Sequence, residues 1–353
     1  MNNNLPSYYF EKKISNIKKY VKLLKKNNFK KKIYLYNITK PKVSFIASVY
    51  NKELYLNSFI YSIQNQDLKE FELLLVDDFS NDKSIEIINE FQNKDRRIKL
   101  IRNKKNMGSL YSRYNGALYS KGEYVIFVDS DDIILKNGII KAYNHIKKKK
   151  LDLVEFHSVF EMNYSISIIS RRYYKYKNII YQPILSYIYY YSNKEGKELN
   201  TVLWDKLVRR EVAMEAFNFI GKTYLNEKII VENDVVILFA LFKKANSFQY
   251  IDEIGYYYFL QNNDSITNTK YDPRKANKVI HSIFTNIKIL YEKTEDTFLD
   301  KYLSIFKLLQ GYKRYKKCFS YIDNIEYVLI KKVINTTYCK LKKIKENERE
   351  RKG

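Results

Sequence analysis

The sequence is poor in several residue types that define particular classes of protein. Its 353 residues include two Cys, three His, nine Gly and four Pro. The two cysteines, Cys318 and Cys339, are too few for a disulfide-rich scaffold or a cysteine metal site, and they favour a reducing compartment. No apolar run approaches the roughly 18 to 20 residues that span a bilayer, and the N-terminus lacks the apolar core of a signal peptide. We therefore expect a cytoplasmic protein.

Positive charge is abundant, but it is concentrated at the two ends of the chain. The net charge is +25; residues 1–40 carry 11 Lys and Arg against one acidic residue, and residues 271–353 carry 20 against 10. The middle is nearly balanced, with 19 against 16 in residues 41–160 and 14 against 12 in residues 161–270. We therefore expect no nucleic-acid partner. Two explanations of the basic ends stay open: contact with an anionic cytoplasmic membrane face or acidic partner, or a general bias toward Lys, Asn, Ile and Tyr.

Hydrophobic residues make up 45% of the chain, enough for a sizeable core, and their pattern between residues 41 and 160 predicts the fold class. Uniformly apolar segments alternate with amphipathic ones, which is typical of an α/β protein whose mostly parallel sheet is covered by helices on both faces. The strands are expected at 43–49, 71–76, 97–101, 124–128 and 151–159. The helices are expected at 53–66, 82–93, 108–120 and 137–149.

The flanking regions are less regular. Residues 8–36 are expected to form a basic helix, either packed on the body or in contact with a membrane surface or partner. Helices are also expected at 201–212 and 234–245 and over much of 276–345, and strands at 247–251 and 255–260. Residues 173–191 fit either a strand or a helix.

Polar residues follow three of the predicted strands, where ligands of parallel sheets bind. These residues are Ser48–Asn51, Asp77–Asp78 and Asp129–Asp132. Asp129 and Asp131 stand two apart directly after a strand, so their carboxylates can hold a hard divalent cation and leave positions for substrate phosphates. Helix capping or simple exposure to solvent is the alternative for such acids, and Asp132 could cap the following helix.

Four segments in this region form one ordered pattern: VSFIASVYNKELYL (43–56), FELLLVDDFSND (71–82), RNKKNMGSLYSRYNGA (102–117) and GEYVIFVDSDD (122–132). Together they resemble the family 2 glycosyltransferases, whose nucleotide-binding core is called the GT-A fold. The resemblance implies a Rossmann-like GT-A domain over 41–270, with a nucleotide-sugar half (41–160) and an acceptor half (161–270). A basic helical arm (1–40) would precede it, and a helical basic region (271–353) would follow.

The resemblance also implies an activity and a set of site residues. The activity is metal-dependent, inverting transfer of a hexosyl or N-acetylhexosaminyl group from a nucleotide-sugar, a UDP-sugar, to a hydroxyl of a carbohydrate, lipid-linked or protein acceptor. Asp129 and Asp131 would bind Mn²⁺ or Mg²⁺ and the diphosphate, with Asp131 as the direct ligand. The residues expected to contact the nucleotide-sugar are Ser48, Tyr50, Asn51, Glu53, Asp78, Asn106, Gly108, Arg113, Asp129 and Ser130.

Two of these residues have alternative roles. Asp78 would accept a hydrogen bond from the uracil imide N–H, but Asp77 or Asp78 could instead cap the helix at 82–93. Gly108 would permit a close approach before the helix at 108–120. Arg113 could bind phosphate or pair with a neighbouring acid.

Inverting transfer needs a carboxylate that removes the acceptor's proton. The family takes it from an acidic pair at the start of a helix, which here reads Glu232–Asn233–Asp234. We predict that Asp234 is the base, with Glu232 as the alternative; Asn233 and Asp234 could also cap the helix.

Other interpretations depend on single features. A catalytically degenerate GT-A-like protein, or a basic binding protein, is the alternative function, because Asn233 replaces an acid. A nucleotidyltransferase would be expected to have a glycine-rich, basic phosphate loop after its first strand, which residues 48–53 lack. No G-x-G-x-x-G follows any strand, which excludes a nicotinamide-dependent dehydrogenase. Trp204 belongs either to the core or to an acceptor pocket. The three histidines, His145, His157 and His281, have no metal-site spacing and are interpreted as structural.

Overall fold

The computed structural model describes residues 15, 17–24, 38–162, 165–168, 178–182, 202–258 and 273–293. Its first half contains every strand and helix predicted there, with boundaries that shift by at most three residues. In chain order these elements are β1 (Val43–Val49), α1 (Leu56–Gln64), β2 (Phe71–Asp77), α2 (Ser84–Gln92), β3 (Ile98–Arg102), α3 (Ser109–Tyr119), β4 (Tyr124–Asp129), β5 (Ile133–Ile134), α4 (Gly138–Lys149) and β6 (Leu153–Met162). The two-residue strand β5 was not predicted.

The second half departs further from the prediction. Its elements are β7 (Ser165–Ile168), β8 (Ile180–Tyr181), β9 (Lys206–Arg209), α5 (Arg210–Ile220), α6 (Lys222–Leu225), α7 (Asn233–Lys244), β10 (Ser247–Tyr258) and α8 (Pro273–Lys293). The helix predicted at 234–245 is confirmed as α7. The two strands predicted at 247–251 and 255–260 are one irregular strand, β10. Cys318, Cys339 and the helices expected beyond residue 293 lie outside the described residues.

The prediction of a helix over 201–212 is wrong for the first part of that range. β9 lies between β4 and β6 and pairs with both in the antiparallel direction, so that Val208 is opposite Val125 on one side and Leu153 on the other. The helix α5 begins only at Arg210. Hydrogen bonding to two neighbouring strands outweighs the local helical spacing of this segment, because strand formation depends strongly on tertiary context.

The strands of the described ranges form one sheet in the order β3-β2-β1-β4-β9-β6-β10-β5, with β7 beside β6 and β8 beside β10. β1 is parallel to β2 and β4, and β2 is parallel to β3. Val49 therefore lies beside Asp77, and Ser48 lies beside Asp129. The predicted mostly parallel α/β fold is confirmed, and the loops after β1, β2 and β4 meet at one edge of the sheet.

The basic segment near the N-terminus packs on this body where it is described. Residues 17–24 are helical, and Ile17, Val21 and Leu24 are buried in the same cluster as β1 and α1. The Ser58 hydroxyl in α1 donates to the carbonyl oxygen of Leu24 at 3.2 Å. The packed-helix interpretation is therefore confirmed for these residues, with apolar burial as the cause.

The last helix of the described residues, α8, packs against the loop that leads into α7. Ile283, Ile289 and Leu290 are buried. Ser282 Oγ accepts a hydrogen bond from the Ile230 amide, and the Asn286 side chain donates to the loop backbone one residue later. Among the described helices, α8 included, none is both long and apolar enough to cross a membrane.

Candidate active site

The loop after β1 is hydrogen-bonded to the loop after β2. Asn51 has a left-handed backbone with φ of 52°, a conformation that Asn tolerates better than most residues. Its amide donates to Ser80 Oγ and its side chain accepts from the Asn81 amide, both at 3.0 Å. The Glu53 amide donates to Asp82 Oδ2 at 3.0 Å. The side chain of Asn51 and the backbone of Glu53 thus serve to hold this loop in place.

Two other predicted residues of this loop differ in exposure. The side chain of Tyr50 is 47% exposed, which leaves its ring available to a ligand. Ser48 is half-buried, and its carbonyl oxygen accepts a hydrogen bond from Ser130 Oγ at 2.8 Å. Ser130 itself is buried. Ser48 and Ser130 therefore join the end of β1 to the turn after β4.

Asp78 orders the loop that precedes α3. Its buried carboxylate accepts hydrogen bonds from the Asn103 side chain and from the amides of Met107 and Gly108, each at 2.8 Å. The capping of α2 by Asp78 is therefore not observed. Three of about four acceptor positions of a carboxylate are therefore used. Asn106, by contrast, is half-buried. Asn103 was not identified from the sequence, where it is one of several polar residues in the segment.

Gly108 allows two loops to touch. It has φ of 88°, and a Cβ atom built on it would lie 2.8 Å from the carbonyl oxygen of Ile229, in the loop before α7. Any larger residue would push the start of α3 away from that loop. Gly108 thus permits a close approach between two parts of the chain, whereas its contact with a nucleotide-sugar stays a prediction.

Arg113 joins the acid at the end of β4 to the acid at the start of α7. Its guanidinium donates to Asp129 Oδ1 at 3.0 Å and to the side-chain oxygens of Asn233 and Asp234. Its side chain is only 7% exposed. Burial lowers the pKa of Arg113, but Asp234 and Asp129 shift it further upward, so the group stays charged. Of its two predicted roles, pairing with neighbouring acids is the one observed. The Asn233 amide group also donates to Ser109 Oγ at 2.8 Å.

The turn after β4 is held by a tyrosine from β10. The Tyr256 hydroxyl donates to Asp132 Oδ2 at 2.6 Å and accepts from the Asp129 amide at 3.1 Å. The predicted capping role of Asp132 is wrong, because β5 follows it and α4 begins only at Gly138. Trp204 is buried and stacks on the Tyr256 ring with a centroid distance of 4.4 Å, which confirms its interpretation as a core residue.

The carboxylates of the turn are paired with cations of the protein. Lys52 Nζ lies 2.6 Å from Asp131 Oδ2, and the Arg113 guanidinium lies 3.0 Å from Asp129 Oδ1. Desolvation raises the pKa of Asp129 to about 6; Asp234 and Asp131 contribute to the increase, whereas Arg113 and Lys52 oppose it. Lys52 was not identified from the sequence, although it lies inside the first matched segment.

Asp129 and Asp131 are suited to a divalent cation that is also held by substrate phosphates and water. Among the described residues, no group of three or more His, Cys, Asp and Glu side chains is spaced to hold a metal ion. Mg²⁺, however, is commonly held by one or two carboxylates together with substrate phosphates and water. The hard oxygen donors of Asp129 and Asp131, whose side chains are 35% and 16% exposed, match that arrangement.

Asp234, the predicted base, lies beside Arg113 and Asp129. It is in the first turn of α7, its side chain is 27% exposed, and Arg113 contacts it directly. Glu232 precedes the helix with a left-handed backbone, φ of 56°. The choice of Asp234 over Glu232 stays a prediction, and the geometry of Arg113 supports it.

The histidines lie outside this cluster. His157 is buried and pairs with Asp252 at 2.9 Å, and His145 contacts Gln249 at 2.7 Å. Their contacts agree with the structural interpretation.

Comparison with known proteins agrees with this arrangement. The family described as Glycosyl transferase family 2 matches residues 44–217. Those residues, just under half of the chain, are therefore similar to a family 2 glycosyltransferase domain. An uncharacterized glycosyltransferase of Haemophilus influenzae is 43% identical over 111 residues, which are 31% of this chain and 44% of that protein. A cholesterol galactosyltransferase of Borreliella burgdorferi is 30% identical over 227 residues, which are 62% and 60% of the two chains. The chain thus covers less than two thirds of either relative.

A solved structure shows the same fold. The crystal structure of S. aureus TarS 1–349 in complex with UDP-GlcNAc has a TM-score of 0.56 and 19% identity, covering 81% of this chain and 77% of that one. The GT-A fold that was expected from the sequence is therefore confirmed by this structural similarity.

Proposed function

We propose that the protein is a metal-dependent, inverting glycosyltransferase that moves a sugar from a UDP-sugar to an acceptor hydroxyl. The observation that carries this proposal is the meeting of Asp129 and Asp234 on one buried arginine, Arg113. The two acids come from β4 and α7, and each stands where the family has a functional carboxylate. An accidental ion pair would not be expected to join these two positions.

The donor side of the proposal rests on the edge of the sheet. The exposed ring of Tyr50 and the carboxylate of Asp78 are suited to a nucleoside. TarS, which shares the fold, was crystallised with UDP-GlcNAc, and this favours a UDP-sugar here. Asp129 and Asp131 would hold Mg²⁺ or Mn²⁺, which neutralises charge on a departing diphosphate.

The acceptor side rests on Asp234. Its carboxylate would take the proton of the acceptor hydroxyl while the acceptor oxygen bonds to the anomeric carbon and the bond to the diphosphate oxygen breaks. Arg113 holds Asp234 in a fixed position relative to Asp129, so base and donor are aligned before reaction. A single displacement of this kind inverts the anomeric configuration.

The first experiment is a donor screen. Purified protein is incubated with UDP- and GDP-sugars plus Mn²⁺, and donor binding, hydrolysis and transfer are measured. Acceptors include carbohydrates, lipids and protein, with a sterol among them because one relative is named a cholesterol galactosyltransferase. We expect UDP-sugar turnover that EDTA abolishes. No binding and no turnover over the whole panel would contradict the proposal.

Substitutions separate the two sides of the reaction. Asp131→Ala should remove metal-dependent donor binding. Asp234→Asn should leave donor binding intact and stop transfer, because it keeps the size of the side chain and removes the base. Glu232→Gln is the matched control, and it should keep most of the transfer rate. If Glu232→Gln alone stopped transfer, Glu232 would be the base.

A further inference from the structure

We propose that Lys52 is a donor-binding residue, which neutralises Asp131 in the free protein and moves to the diphosphate when the donor and a divalent cation bind. The inference rests on the proposed function and assigns a role to a residue inside the same site. It follows from three features of Lys52: a fixed backbone, a partly buried ion pair, and the balance of charges around it.

The backbone of Lys52 is held on both sides. Its amide donates to Ser84 Oγ, at the start of α2, at 2.8 Å, and the amides of its neighbours Asn51 and Glu53 donate to side chains of the loop after β2, each at 3.0 Å. Three consecutive amides are thus fixed by side chains of this loop and of the first residue of α2. The part of Lys52 that can move is its flexible four-carbon side chain with the ammonium at its end.

The Lys52 ammonium lies at the edge of the sheet where ligands are expected. It extends from the loop after β1 to Asp131 in the turn after β4, with 2.6 Å between Nζ and Oδ2. The two side chains are only 19% and 16% exposed, so solvent screens this pair less than an ordinary surface pair. Burial lowers the pKa of Lys52, but Asp131, Asp129 and Asp132 raise it more, and the group remains an ammonium.

The charges around Lys52 favour an exchange of partners. Within the part of the chain that the structure describes, the carboxylates Asp129, Asp131 and Asp234 form ion pairs with Lys52 and Arg113. Arg113 contacts three side chains and is buried, so it is held in place. A divalent cation and a diphosphate bring opposite charges of about equal size, so the net charge of the site is preserved while Lys52 exchanges Asp131 for a phosphate oxygen. An ammonium is a common phosphate ligand in proteins.

The test is the substitution Lys52→Met, which keeps the length of the side chain and removes its charge. Mn²⁺ binding without nucleotide and UDP binding at saturating Mn²⁺ are both measured by titration calorimetry. We expect Mn²⁺ to bind about 5- to 10-fold more tightly, because no ammonium competes for Asp131, and UDP to bind about 10-fold more weakly. Lys52→Arg should restore part of the UDP affinity, because it restores a phosphate-binding cation.

The matched control is Lys42→Met. Lys42 also forms a 2.6 Å ion pair, with Glu70, but that pair is more exposed and is located before β1, away from the acids. It should leave both affinities unchanged. General structural damage would weaken both Mn²⁺ and UDP binding, so shifts in opposite directions are specific to the proposed exchange.

Each outcome has one meaning. Opposite shifts in Lys52→Met, with none in the control, support the proposal. If wild-type protein binds UDP and Lys52→Met leaves both affinities unchanged or weakens both, the role of Lys52 is overturned and the proposed function stands. If wild-type protein binds neither UDP nor any donor of the screen, the proposed function fails, and the role of Lys52 fails with it.

Discussion

The hydroxyl of Tyr256 should contribute strongly to stability and to donor binding, and Tyr256→Phe tests this. The substitution keeps the ring that stacks on Trp204 and removes one oxygen, which donates to Asp132 and accepts from the Asp129 amide. The ring is fully buried, so water replaces these contacts poorly. The substitution therefore isolates the two hydrogen bonds that hold the turn.

The expected cost is the sum of these two bonds. A hydrogen bond to a charged group contributes about 1.5 to 3 kcal/mol, and a neutral one contributes about 0.5 to 1.5 kcal/mol. Tyr256→Phe should therefore lower the free energy of unfolding by about 2 to 4.5 kcal/mol. Because Asp129 and Asp131 lie in the released turn, the KM for the donor should also increase.

The assay is urea unfolding followed by circular dichroism, with the midpoint expected to shift at an unchanged m value. The control is Tyr124→Phe, in β4; its ring is also buried, but its hydroxyl makes no hydrogen bond with the residues that the structure describes. It should change stability by less than about 0.5 kcal/mol. If the Tyr256 and Tyr124 variants were equally stable, with equal donor KM, Tyr256 would not hold the turn and the reasoning would be refuted.

Three further substitutions test other parts of the structure. Gly108→Ala should destabilise the protein more than Gly221→Ala does in the same thermal unfolding assay. Both glycines have positive φ, but only at Gly108 would an added Cβ meet the backbone of Ile229. Equal effects would contradict this close contact. Arg113→Lys keeps a charge but cannot bridge both acids, so we expect kcat to fall about 100-fold, and an unchanged kcat would argue against the alignment role. Leu24→Ala removes a fully buried side chain and should cost about 2 to 5 kcal/mol by urea unfolding, whereas no loss would show that the N-terminal helix is not part of the folded body.

Local sequence was sufficient to predict the elements that carry the donor half of the site. β1, β2 and β4 are predominantly apolar, and polar residues stand at or directly after the end of each, so both their extent and their functional ends could be predicted. Parallel pairing then places those ends at one edge of the sheet. The acids Asp129 and Asp131 could be identified for this reason before any contact was known.

Long-range contacts could not be predicted in the same way. The sequence of β9 has helical spacing, but the segment forms a strand because it pairs with β4 on one side and with β6 on the other. The role of Asn103 depends on Asp78, which is 25 residues earlier in the chain. A residue of this kind gives no local signal, because its partner is brought to it only by the fold.

The sequence by itself therefore determined the fold class, the strand ends and the acids that surround the site. The tertiary structure decided which cation each acid meets: Lys52 for Asp131, and Arg113 for both Asp129 and Asp234. The physical reason is a difference in range. Hydrophobic periodicity is a property of a few neighbouring residues, whereas ion pairs and buried hydrogen bonds join residues that only the packed sheet and helices bring together.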